Sequence, residues 1–130
     1  MSDDLDRLLG ASVEAALRLL STDGEFYPFA LAMTTDGDVV SPAVEPGSDH
    51  PPSEQVAALL LAALREGRAS IRAASLCSDV TVVSDEGEER DAIRIELEAP
   101  GSDPVTVVVP YAGTVLDQPF GVPGERRVFG

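Results

Sequence analysis

One histidine, one cysteine and a cluster of acids are the side chains here best suited to chemistry. His50 stands between Asp49 and the pair Pro51-Pro52. An imidazole there could act as a general base or a metal ligand, but a base needs an orienting partner and a zinc site needs further His or Cys ligands. At a helix start beside two prolines, a cap or surface residue is the commoner role. Cys77 lies in an apolar run near Leu76 and Val80. No helix N-terminus or basic neighbour is visible to generate a thiolate, so a buried, inert thiol is expected. Asp36 and Asp38 flank Gly37. Calcium would require more oxygen ligands at ordered spacing, so this is read as a turn. Asp85, Glu86, Glu88 and Glu89, with Asp91, make the 85–91 loop strongly acidic. A solvated hairpin end is the default reading, and a weak divalent-ion site or a contact for a basic partner is the sharper one. Tyr27, Phe29 and Tyr111 could line a ligand pocket, though core packing is the usual role of such rings. The chain contains no G-x-S-x-G, H-E-x-x-H, G-x-G-x-x-G or P-loop motif. All nine basic residues are Arg, which excludes Schiff-base and P-loop lysine chemistry. No cofactor is implied.

These residues must be positioned by a chain of 130 residues, a length that suits one domain over 1–130 with a Gly/Pro-rich tail at 112–130. Hydrophobic residues make up 44% and mean hydropathy is +0.07, enough for a packed core. The formal net charge of −14 argues against nucleic-acid binding, because phosphate repulsion would have to be overcome. It leaves two readings, solubility or a partner with a basic surface. No run is long and apolar enough for a membrane helix. The acidic start, Met1-Ser-Asp-Asp-Leu-Asp6, lacks the positive charge of a signal peptide. The lone Cys77 forms no internal disulfide, and together these features point to the cytosol. Arg without Lys, with abundant Ala, Val, Asp and Gly, looks like the codon bias of a GC-rich bacterial genome.

The element order reads α-β-β-α-β-β-β. Leu5, Leu8, Leu9, Val13, Ala16, Leu17 and Leu20 form one stripe of a helix from residue 3 to about 20, capped by Ser2 or Asp3. Phe26 to Val40 reads as a hairpin with an Asp36-Gly37 turn, its core face carrying Tyr27, Phe29, Leu31 and Met33. A helix from about Pro51 to Glu66, capped by Ser48, Asp49 or His50, is apolar on most of its circumference. Such a helix is expected to be buried on more than one side, under loops or in a dimer. Residues 69–84 form a long strand with a bulge near Cys77–Asp79. In the next strand Ile93, Ile95 and Leu97 point inward and Arg94, Glu96 and Glu98 outward. Val105 to Tyr111 continues the meander, and residues 112–130 read as irregular, with Phe120 and Phe129 able to dock and the arginines able to meet acids. The expected fold is therefore α+β, with about five antiparallel strands and two main helices.

That order across residues 1–111 resembles the profilin-like arrangement of roadblock proteins, and more loosely GAF and PAS domains. In size and acidity the chain also resembles type III secretion chaperones and YbjN-like proteins. The residues Phe26-Tyr-Pro-Phe29, Asp36-Gly37, Leu97-Glu98, Val109-Pro-Tyr111 and Pro123-Gly-Glu125 look like a pattern of small uncharacterised bacterial proteins. The resemblance implies no particular activity. With no catalytic constellation, the expected function is a non-enzymatic binding or regulatory module, acting as a homodimer through protein–protein contacts. The alternatives are an immunity or chaperone-like protein capping a basic partner, and a small-molecule sensor or enzyme with an aromatic pocket.

Overall fold

The computed structural model describes residues 2–47 and 49–130. In chain order these form α1 (Asp3–Asp23), β1 (Phe29–Thr34), β2 (Val39–Val40), α2 (Ser53–Glu66), a 3-10 turn (Arg68–Ser70), β3 (Ile71–Val83), β4 (Glu89–Glu98), β5 (Val105–Ala112), β6 (Val115–Leu116) and β7 (Phe120–Pro123). The strands make one antiparallel sheet in the order β2-β1-β3-β4-β5-β6, with β7 also paired to β5. The fold is α+β with two helices, but the sheet has seven strands where about five were expected.

The difference lies in the tail, which is not irregular. β6 pairs with Tyr111–Ala112 and β7 with Val105–Val108, so together they line one edge of β5. Proline and glycine made this stretch look unstructured, yet an edge strand tolerates proline where no ladder N–H is required. Covering β5 also removes a long open edge that would otherwise recruit other chains. Past β7 the chain passes Gly124, where an added Cβ would lie 2.9 Å from the Val105 nitrogen. Residues 126–129 then cross back over the sheet.

The helices lie on opposite faces. Under α1 sit Leu31, Met33, Ala73, Cys77, Ile93, Ile95, Leu97, Val107 and Val109, packed against Leu5, Leu8, Ala16 and Leu20. Under α2 sit Ala30, Ala32, Ala74 and Leu76, packed against Val56, Leu60, Leu61 and Leu64. β1 is thus buried on both sides, so the expectation of a single core face on Tyr27, Phe29, Leu31 and Met33 is corrected, and Tyr27, which precedes the strand, is 49% exposed. Alanine on the second face leaves room for the leucines of α2 to approach the sheet. α2 itself is buried along one side, while Ala58 and Ala62 of its outer face are exposed, so the expected burial on several sides does not occur within the chain.

α1 keeps its expected start. The Ser2 hydroxyl accepts from the Leu5 N–H at 3.3 Å, and Gly24 ends the helix. α2 has Pro52 at its cap position with no side-chain hydrogen bond, so neither Asp49 nor His50 caps it, and Ser48 lies outside the described residues. Gln55 instead anchors the preceding loop by donating to the Pro46 carbonyl at 2.9 Å.

The bulge expected near Cys77–Asp79 is absent. β3 and β4 stay in register from Ala74 opposite Glu98 to Val83 opposite Glu89. The register shift falls instead in the β1–β3 pairing, between Met33 and Thr34, where Arg72 of β3 is the extra residue. Two hairpins close with the same device. In Thr34–Asp38 and Ser84–Glu88 the first residue's hydroxyl accepts from the fifth residue's N–H, at 3.1 Å in both. Only the fourth residue, Gly37 or Gly87, takes positive φ, so Asp36 needs no left-handed backbone. Among the described residues no helix is long and apolar enough to cross a membrane.

Candidate functional site

The sequence-derived candidates fall into three places. Tyr27 and His50 share an open cleft of about 580 Å³ with Leu19, Asp23, Glu25 and Phe26. Tyr27 is 49% exposed, and His50 is also exposed. Tyr27 and Phe29 border a second groove, of about 380 Å³, together with Pro42, Val44, Val56 and Leu60. Asp85, Glu86, Glu88 and Glu89 are all exposed around the β3–β4 turn and share neither cleft.

Tyr111 does not join the aromatic cleft, as a pocket lined by Tyr27, Phe29 and Tyr111 would require. It is 6% exposed and belongs to the core under α1. Its hydroxyl donates to Asp79 Oδ1 at 2.6 Å, and Asp79 Oδ2 accepts from the Phe26 N–H at 3.4 Å. Asp79 therefore ties β3 both to β5 and to the segment entering β1. Burial, and then the hydrogen bond to Asp79, raise the Tyr111 pKa well above the usual phenol value. That arrangement holds a neutral phenol and does not make a proton donor or nucleophile near neutral pH.

Cys77 is fully buried beneath α1. Desolvation pushes its thiol from 9.0 to about 11, against the neighbouring Ser12 and Ser75 hydroxyls, which act to lower it. Ser12 Oγ donates to the Leu8 carbonyl at 2.7 Å and so accepts from Ser75 Oγ at 2.8 Å, which satisfies both buried hydroxyls. Because the folded thiol titrates above the unfolded one, its stabilising contribution is complete below pH 9 and is lost as pH rises through about 11. Tyr111 shifts in the same direction and adds to the loss from about pH 10 upward. The chain is expected to lose on the order of 2–3 kcal/mol from Cys77 across this range, seen in urea titrations at stepped pH. Cys77→Ala should remove that part of the pH dependence. In the native state the thiol should resist aromatic disulfide reagents near pH 8, reacting only as the chain unfolds.

A fourth place was hidden in the sequence. Glu98, expected to point to solvent, is 5% exposed. Its carboxylate accepts the backbone N–H groups of Arg127, at 2.5 Å, of Val128, at 3.0 Å, and of Phe129, at 3.1 Å. Glu96 takes the Arg127 guanidinium at 2.8 Å. Arg126 donates to the carbonyls of Ala99 and Ser102, and Arg65 Nε donates to the Arg127 carbonyl. Val128 is buried, and with Phe129 it packs on the α2 cluster, whereas Phe120 remains 49% exposed. The Arg-Arg-Val-Phe run was the readable signal, and its receptor was not.

The remaining charge is poorly balanced. Among the described residues, the ion pairs are Arg72–Asp4, Arg90–Asp117, Arg94–Glu96 and Arg127–Glu96, so only Asp4, Glu96 and Asp117 of the acids have a basic partner. Arg90 holds the exposed Asp117 carboxyl below its ordinary range, helped by the Gln118 N–H. No set of three His, Cys, Asp or Glu side chains is placed to hold a metal ion among the described residues. No protein-family model, curated protein or solved structure matches the chain.

Proposed function

We propose that the chain is a non-enzymatic binding or regulatory module that works through protein–protein contacts with a basic partner. The observation that carries this reading is the uncompensated acidity, a net charge of −14 with three acids in ion pairs among the described residues. The acids of the β3–β4 turn stand at the end of a paired strand arm, and none of them is in an ion pair among the described residues. Fields of one sign steer oppositely charged partners and speed association. The test uses the immobilised full chain at low and high salt, followed by re-expression of whatever is retained. A basic protein held at low salt, released at high salt and weakened by Asp85→Asn with Glu86→Gln, Glu88→Gln and Glu89→Gln is the expected result. Retention of no basic protein at low salt would remove the reading.

Self-association is the second reading. It is favoured by Phe120 and Val122 of β7, which are 49% and 41% exposed beside Val108 and Thr106 on a part of the sheet that α2 leaves open. Light scattering should then give a dimer that Phe120→Glu converts to a monomer, and a native monomer at high concentration would discard it.

A further inference from the structure

Among the described residues, 126–129 are held in a way no other segment is. They form no helix or strand. What fixes them is recognition by side chains. One carboxylate gathers three consecutive backbone N–H groups, a second takes a guanidinium, and a slot between helix and sheet takes an apolar side chain. The slot is bounded by Leu61, Leu64, Ala74 and Leu76, and beside Val128 it leaves room for about one water at most. Short peptides are read by their partners in the same manner, through backbone groups for affinity and pockets for side-chain choice.

We infer that this channel between α2 and β4 is a peptide groove whose resident occupant is the chain's own 126–129 segment. Its outside ligand is a partner segment of the same chemistry, two arginines followed by two apolar residues. The inference deepens the basic-partner reading and rests on it. Vacating the groove would leave Glu98 at the bottom of an apolar slot without donors, a costly state for a carboxylate. An open groove therefore favours refilling over staying empty. Glu96 and Glu98 together set the charge preference, and the apolar walls demand more than charge. The resident segment acts as a tethered competitor, because a short tether gives it an effective concentration in the millimolar range. Partner binding is then regulated by whatever loosens the segment.

Fluorescence anisotropy tests this with a labelled, amidated peptide of residues 124–130, Gly-Glu-Arg-Arg-Val-Phe-Gly, titrated with the full chain. Native chain should bind weakly. Val128→Ala with Phe129→Ala loosens the resident segment and should bind at least about tenfold tighter, since the tethered competitor is weakened. Adding Glu98→Gln to that variant should return binding to the level of a scrambled peptide of identical composition. Trypsin cleavage at Arg126 and Arg127 reports independently that the segment is released, and circular dichroism that the body stays folded. Equal binding of authentic and scrambled peptides would overturn the groove and leave the basic-partner reading standing. Failure of polyarginine to bind at low salt would overturn the basic-partner reading itself. Absence of peptide binding by a released, folded variant would also overturn the groove. A doubled mass of the native chain that Val128→Ala with Phe129→Ala returns to a single mass would assign the slot to a second copy's segment and overturn the foreign partner.

Discussion

Glu98→Ala is expected to free residues 126–129, so that trypsin cuts after Arg126 and Arg127 about a hundredfold faster than in the native chain, an opening made easier by about 3 kcal/mol. The native carboxylate accepts from three N–H groups, and a hydrogen bond to a charged group contributes about 1.5–3 kcal/mol. Their sum is reduced by the desolvation of a side chain that is 5% exposed. The loss is also capped, because a segment without its carboxylate moves into water and its N–H groups are satisfied there. Burial of Val128 and Phe129 then disappears locally, while the sheet and α1 remain. Glu96→Gln is the control. It removes the ion pairs to Arg127 and Arg94, of which only the first touches the segment. With a guanidinium 37% exposed that pair is worth about 0–1 kcal/mol, so the cleavage rate should change little. Cleavage of Glu98→Ala at the native rate would place the anchor in the apolar contacts and not in the carboxylate.

Glu98 also marks where sequence reading reached its limit. The alternation of Ile93, Ile95 and Leu97 against Arg94, Glu96 and Glu98 identifies the strand and its α1 face, and all three apolar residues are fully buried. Alternation says nothing about what covers the opposite face. That depends on α2 and on a segment about thirty residues away along the chain, which lays its N–H groups on Glu98. In α1 the apolar stripe was legible, and Ser12 was overlooked because a hydroxyl in the stripe looks polar. Its partners, Leu8 and Ser75, lie one turn back and across on β3. Tyr27 and Tyr111 look alike by composition, yet one is half-exposed before β1 and the other is pinned by Asp79 in the core. The helices, the two hairpin turns and the meander are local in sequence and were readable for that reason. Pairing of β1 with β3, and of β7 with β5, is non-local and was not.

Ile95→Ala is expected to cost about 3–4 kcal/mol of unfolding free energy, lowering Tm by roughly 10–15 °C. Ile95 is fully buried on β4, with Cys77 and Val107 directly beside it on the neighbouring strands and α1 above. A cavity there has little means of closing. The backbone on both sides is fixed by ladder hydrogen bonds, and α1 is tied to the sheet through Ser12 and Ser75. Collapse is what reduces the cost of truncation elsewhere, so this site should lie toward the upper part of the range for large-to-small changes. Ile95→Val keeps most of the volume and the β-branch, and should cost only about 0.5–1.5 kcal/mol. Val83→Ala, at a position 67% exposed on the β3–β4 arm, should fall within about 0.5 kcal/mol of the native chain. Urea titrations of the three variants measure this directly. The midpoint should move for Ile95→Ala while the slope stays constant, since the surface exposed on unfolding hardly changes. Similar losses at Ile95 and Val83 would mean that α1 does not cover β4, and the two-faced arrangement of the helices would have to be abandoned.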